Sequence, residues 1–348
     1  MTRRRTVRAA LITLALAGTL LIVPTAARAA IVEHSAAYAI NNRGQIVGDS
    51  TVDSGDVHAA LWRQYGGSWQ GVDLGTLGGS TSTAYGINAL GEIVGVSETV
   101  DGARHAFLNP AGGAMTDLGT LPGATGCAAL DINDRSDVVG YCAVPTGYGA
   151  IRRAVLWTQG RVVDIDPVSA DGGEAYGIND RGDVLALCMV TAEVLVVWPG
   201  TGERGDCRDF RVDTTNISQA GGRFGEINDS GEVAINALGS ATTDHAILSQ
   251  PDRFPQYTET DLGGAGSVAA DLNERTEATG TNGSHAFIWA GGTTTDLGTL
   301  GGPNSSGYGI NDRGQVAGSA MTASNQWHAF LWAKGTMTDL GTLQSNPM

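Results

Sequence analysis

The chain has 348 residues and carries 36 acidic against 21 basic side chains, a formal net charge of −15. That balance, with no basic cluster in the body of the chain, argues against nucleic acid and anionic membranes as partners, since both require concentrated positive charge. Glycine is abundant at 51 residues but shows no period of three, which excludes a collagen-like rod.

The first element in chain order is an export signal. Arg3, Arg4, Arg5 and Arg8 make a basic start, an apolar run occupies 9–23, and Ala27-Arg28-Ala29 fits the small-x-small cleavage rule. Residues 1–29 are therefore expected to be a secretory signal peptide, with the mature chain beginning at Ala30. Without its five arginines the mature chain has 16 basic and 36 acidic residues, a net charge of −20. Nothing later is long and apolar enough to predict a membrane span.

Residues 30–348 repeat one phrase seven times. The last copy is the clearest: GYGINDRGQVAGSA at 307–320, HAFLW at 328–332 and TDLGTL at 338–343. The copies are marked by Asn41, Asn88, Asn133, Asn179, Asn228, Asn273 and Asn311, spaced 38 to 49 residues apart. A repeat of this length is one supersecondary unit. In the last copy, strands are predicted over 307–310, 315–321, 327–333 and 336–343. Asn311-Asp312-Arg313-Gly314 supplies a turn whose residues accept positive φ. In HAFLW-type strands both faces are apolar, as a sheet covered on both sides requires. The reading is an all-β fold: a seven-bladed β-propeller of seven ~45-residue, four-stranded antiparallel repeats in one domain. The third to fifth copies are degenerate. Two closures stay open: the first blade packs on the last, or a strand from one terminus completes a blade begun at the other.

The phrases AYGINDRG, HAFLW and DLGTLGG, in fixed order over essentially the whole mature chain, resemble the HAF family of extracellular repeats. That resemblance implies a secreted or surface bacterial protein and brings no established activity with it.

Five histidines, His58, His105, His245, His285 and His328, share one repeat position. Equivalent positions in different blades are spread around a ring, so each imidazole is expected to bond a neighbouring blade or loop, and no metal or other cofactor is expected. The acidic turn at 131–137 lacks the glycine of a calcium loop, and the same turn recurs in copies lacking most of the acids, as at 88–91, so it reads as a hairpin. Cys127 and Cys142 are equidistant from the centre of the 133–136 turn and should pair as a disulfide in an oxidising compartment. Cys188 and Cys207 are left as a second pair, which would require an irregular fourth blade. The chain has no G-x-S-x-G, H-E-x-x-H or phosphate-binding glycine-lysine motif.

Recognition should sit on the face that carries the longer, varied connections at 51–57, 143–152, 213–223, 238–244 and 322–326. Tyr148, Arg152, Asp244 and Trp327 are the ligand-binding candidates there. The expected function is a secreted, monomeric, non-catalytic scaffold for an extracellular glycan or protein. A propeller hydrolase or lyase acting on extracellular polymers is the first alternative, and a purely structural surface protein the second.

Overall fold

A computed structural model describes residues 33–110, 113–166, 172–189, 193–199, 225–238, 244–253 and 256–343. It is a seven-bladed β-propeller. The blades span 35–73, 78–117, 126–164, 172–198, 225–261, 267–296 and 301–341, each an antiparallel sheet whose strands neighbour one another in chain order. Six blades show four strands and the fourth shows three among the described residues. Among these residues no helix is long and apolar enough to cross a membrane.

The turn between the first two strands explains why the marker asparagine recurs. In blade 1 the Asn41 amide donates to Gln45 O at 3.0 Å and Gly44 N donates to Asn41 O at 2.9 Å, with Gly44 at φ +80°. This is a three-residue hairpin loop closed by a left-handed residue. The Asn41 side chain fixes it from inside, its Oδ1 accepting from Arg43 N and Gln45 N at 3.0 Å each. Its Nδ2 then leaves the blade and donates to Asn88 O at 3.0 Å. The same bond runs from Asn88 to Asn133, Asn133 to Asn179, Asn179 to Asn228, Asn228 to Asn273, Asn273 to Asn311, and Asn311 back to Asn41. Seven amides thus form an unbroken ring around the axis.

Among the described residues the first strand of six blades carries a β-bulge at the residue three before the asparagine: Tyr38, Tyr85, Leu130, Tyr176, Ala270 and Tyr308. A bulge re-aims its side chain, and Tyr38 meets Tyr85 and Tyr308 with ring centroids 5.7 and 5.5 Å apart. The bulge also fixes a glycine on the second strand. A Cβ on Gly318 would lie 2.0 Å from Ser306 O, inside any real contact distance.

Packing is between blades. Among the described residues seven hydrophobic clusters form, each shared chiefly by two adjacent blades. Trp62, Phe107, Phe287 and Phe330 are the largest fully buried side chains in them. Each such side chain contributes about 1.5–3 kcal/mol by leaving water. A serine at the start of one blade clasps the previous one: Ser82 Oγ accepts from Ala59 N at 2.8 Å and donates to Gly75 O at 2.6 Å. Ser267 and Ser305 repeat this. The closing joint is built alike, with Ser35 Oγ accepting from Ala329 N at 2.8 Å and donating to Gly341 O at 2.7 Å. Of the two closures left open by the sequence, the first blade packs on the last and no strand is exchanged.

The histidines have a different partner from the one expected. Each Nδ1 lies 2.6–3.1 Å from the aspartate of the fourth strand in its own blade, pairing His58–Asp73, His105–Asp117, His245–Asp261, His285–Asp296 and His328–Asp339. In blade 3, whose copy reads RAVLW, Arg153 makes the same clasp to Asp164 at 2.9 Å. The HAF and TDLG phrases are two halves of one intrablade contact.

Cys127 and Cys142 stand directly opposite each other and form a disulfide. Cys188 is disulfide-bonded, and Cys207, its proposed partner, lies outside the described residues.

Candidate functional site

The turns after the first and third strands share one face, and the connections after the second strands open on the other. On that second face the described residues form a pocket of about 580 Å³ where blades 2 to 5 meet. Its wall includes Tyr85, Tyr141, Arg152, Glu174, Tyr176 and Glu226.

The pocket exists because blade 3 departs from the repeat. Its second and third strands, Val138–Thr146 and Gly149–Thr158, run in continuous register out to Thr146 opposite Gly149. The segment 143–152, expected as a long loop, is therefore a projecting β-hairpin. Arg152 sits on its inner flank opposite Ala143, and Tyr148 sits at its fully exposed tip.

Arg152 is held from two sides. Its Nη1 donates to Glu174 Oε1 at 2.6 Å, and its Cζ lies 4.4 Å from the centre of the Tyr141 ring. Burial alone would lower the guanidinium's affinity for its proton; the bond to Glu174 and that carboxylate's charge outweigh it and hold the pKa above its ordinary value. Glu174 is only 7% exposed. A buried carboxylate bonded to a half-exposed guanidinium stacked on a phenol is a fixed, near-neutral polar surface. It can donate from the remaining guanidinium N–H groups, while Tyr85 and Tyr176 add aromatic surface to the same wall. Among the described residues Thr125 is the only hydroxyl side chain besides the tyrosines on the wall and no histidine lies there; Cys127 is locked in its disulfide.

Of the four candidates named from sequence, the pocket contains Arg152 alone. Trp327 opens the third strand of blade 7 opposite Met321 and is half-buried. Asp244 opens the third strand of blade 5 opposite Leu238, and its side chain lies outside the described residues. Glu174, Tyr141 and Glu226 were missed, although each breaks the repeat at its position. Glu174 stands where blades 1 to 3 have Ala36, Thr83 and Ala128, and Glu226 stands where blades 2, 4 and 7 have Gly86, Gly177 and Gly309. That glycine is needed beside it, since a Cβ on Gly177 would lie 2.4 Å from Glu226 Oε1.

On the opposite face the axis opens between the seven asparagine turns. Its acids are engaged by backbone amides of the preceding blade: Ala89 N, Asp134 N, Asp180 N, Asp229 N and Glu274 N donate to Asp134, Asp180, Asp229, Glu274 and Asp312 at 2.7–2.9 Å. No group of three or more His, Cys, Asp or Glu side chains among the described residues is placed to hold a metal ion.

No family model and no curated protein sequence matches this chain. Solved structures do match in fold. The β-propeller domain of the Trilobed protease from Pyrococcus furiosus, described as having an open velcro topology, aligns over 88% of this chain and 98% of its own, with 10% identity and a TM-score of 0.57. A puromycin hydrolase aligns over 90% of this chain at 13% identity and a TM-score of 0.60, and this chain covers 54% of it, about half its length. The BP39L lectin from Burkholderia pseudomallei aligns over 88% of this chain and 98% of its own, at 10% identity and a TM-score of 0.51. At these identities the likeness is one of fold.

Proposed function

We propose that this chain is a secreted HAF-type repeat protein, with an export signal at 1–29 and one propeller domain at 30–348, that binds an extracellular glycan or protein in the pocket beside Arg152. The observation that carries this reading is the Arg152–Glu174 pair stacked on Tyr141 in a tyrosine-walled pocket on the varied face. Sugars are bound by such surfaces, an aromatic plane against the ring's C–H face and planar polar groups against its hydroxyls. A lectin among the structures of like fold is in keeping with this, and the Cys127–Cys142 disulfide is compatible with an oxidising compartment.

The test is an array of glycans and cell-envelope fractions probed with the mature protein, followed by calorimetry on any hit. Arg152→Ala and Tyr141→Ala should each weaken binding at least tenfold, while Trp327→Ala, outside the pocket, should leave it within twofold. Equal binding by all variants would refute the assignment. The hydrolase or lyase reading is favoured by one observation, that two carboxylates, Glu174 and Glu226, line one pocket. Turnover of a bound oligosaccharide, lost in Glu226→Gln with binding retained, would select it.

A further inference from the structure

The arginines of the asparagine turns follow a rule with two exceptions. In blades 3, 4 and 6 the arginine two residues after the marker asparagine pairs with the acid two residues further on: Arg135–Asp137 at 3.4 Å, Arg181–Asp183 at 2.6 Å and Arg275–Glu277 at 2.5 Å. Blades 2 and 5 have the acid and no arginine. There Glu92 accepts from Ser136 Oγ of the next blade at 2.6 Å, and Glu232 from Thr276 Oγ1 at 2.8 Å. Blades 7 and 1 have the arginine and no acid, because Gln315 and Gln45 stand in its place.

These two blades are neighbours, since they meet where the ring closes. Their turns, with the adjoining ends of the third and fourth strands of blade 1, line a cleft of about 300 Å³ on the face opposite the Arg152 pocket. Three arginines line it, Arg43, Arg63 and Arg313, all exposed. Among the described residues no acidic side chain is on its wall. Arg43 gives one bond, from Nη1 to the backbone O of Leu90 at 3.2 Å. Gln45 and Gln315 use their Oε1 atoms to accept from Asn41 and Asn311 at 2.9 Å, so their NH₂ ends are the ends not used in those bonds. Trp69, half-buried against the joint's core cluster, makes one side.

A chain with 36 acids and 21 basic residues has thus collected three arginines around one cleft and left out the acid that neutralises the same turn elsewhere. Guanidiniums, and the NH₂ ends of carboxamides whose oxygens are already engaged, donate and so match an oxyanion, most strongly a carboxylate or sulfate taken bidentately by arginine. An indole at the edge matches a sugar face. We propose that the cleft at the closing joint binds an acidic glycan, with a uronate or sulfated residue seated among Arg43, Arg63 and Arg313 and its ring against Trp69. This is independent of the Arg152 pocket, which lies on the other face.

Trigalacturonate is the probe, with galactotriose, sodium sulfate and hexaglutamate as controls, titrated into the mature protein at two salt concentrations. Trigalacturonate is expected to bind and to weaken as salt rises, and galactotriose is not expected to bind. Arg63→Gln/Arg313→Gln should weaken trigalacturonate at least tenfold with an unchanged melting temperature, because both side chains are exposed. Arg152→Ala should leave it unchanged. Wild-type affinity in the double variant, loss of affinity in Arg152→Ala, or galactotriose binding as tightly as trigalacturonate would overturn the site. Sulfate or hexaglutamate matching trigalacturonate would overturn the glycan as its ligand.

Discussion

The asparagine ring allows a matched test of how the propeller closes. Asn41 links blade 1 to blade 2, which follow each other in the chain, whereas Asn311 links blade 7 to blade 1 across the gap between the ends. The two side chains make the same four bonds. Each Oδ1 accepts two backbone N–H groups of its own turn at 3.0–3.1 Å, and each Nδ2 donates to a glutamine Oε1 at 2.9 Å and to the next blade's asparagine carbonyl at 3.0 Å. Both residues are buried, at 5% and 3% exposure. Asparagine to aspartate keeps the size and both acceptor bonds. It removes both donors, but Gln45 or Gln315 can turn its amide and donate instead. What remains is the interblade carbonyl left buried and unpaired, at a cost of about 1–3 kcal/mol, now facing a buried carboxylate oxygen that repels it and adds to the cost. Asn41→Asp and Asn311→Asp should therefore each cost about 3 kcal/mol at pH 7. Asn88→Asp should cost more, because Asn88 Nδ2 donates to Glu92 Oε2 at 2.7 Å and a carboxylate cannot be rescued by that partner. Urea unfolding monitored by tryptophan fluorescence gives the three values. An Asn311→Asp cost below about 0.5 kcal/mol, beside a full cost for Asn41→Asp, would show that the closing joint is not equivalent to the others and would refute the ring as a continuous element.

Two further outcomes follow from groups whose environments stand out. Burial, only partly offset by hydrogen bonds, pushes Asp49 up to about 6 and Asp166 up to about 7. Both carboxyls hold in the folded state a proton that the unfolded chain gives up near pH 4, so stability should fall as pH rises from about 4 to 7. Asp261, Asp296 and Asp339, with glycine amides and facing histidines outweighing burial, are held below the usual carboxylate range and lose their contribution as pH falls through their lowered pKa. Melting temperature should therefore peak at mildly acidic pH, and Asp166→Asn should flatten the alkaline limb; a steady rise from pH 5 to 8 would contradict this. For the disulfide, Cys127 and Cys142 occupy positions that are Ser82 and Ser97 in blade 2. Cys127→Ser/Cys142→Ser should lose about 3 kcal/mol, the value for a loop of 15 residues, yet still fold as a propeller by circular dichroism.

The fold was legible because its period is the fold. Blade count, strand order and the Cys127–Cys142 pair could all be taken from the spacing of the repeated phrase. The cysteine pair was reached by a route the structure corrects. The turn centres half a residue later than expected, on Arg135, with Asn133 N bonded to Asp137 O, and the bulge at Leu130 restores the register that sets Cys127 opposite Cys142. Bulges leave only a faint mark in sequence, here the alternation of small residues around each tyrosine. The pocket was harder to read. Arg152 was found by its place in a varied segment, but that segment was expected to be a loop, and the strand propensity of 149–158 was overridden by the repeat boundary. Glu174 and Tyr141 lie within strands, where a search confined to loops does not look.

In a ring of near-identical units, chemistry cannot come from the units themselves. Each repeated polar side chain is already spent: the asparagines on the next blade, the histidines on the fourth strand, the joint serines on the previous blade. A free functional group can appear only where one copy departs from its neighbours and the contact that would have consumed it is missing. The described residues contain two such places. In blades 3 and 4, Cys127 takes the place of a joint serine, and Gly173 takes the place of another, its space filled by Asp166, whose Oδ2 accepts from Ala154 N at 3.0 Å; there the Arg152 pocket opens. In blades 7 and 1 the turn acid becomes glutamine, and Arg43 and Arg313 are released into a shared cleft. Restoring the missing acid should close the second place: Gln45→Glu/Gln315→Glu would recreate the arginine–acid pairs of blades 3, 4 and 6 and abolish trigalacturonate binding while removing no arginine. Retained binding in that variant would show that the glutamines have no part in freeing the arginines.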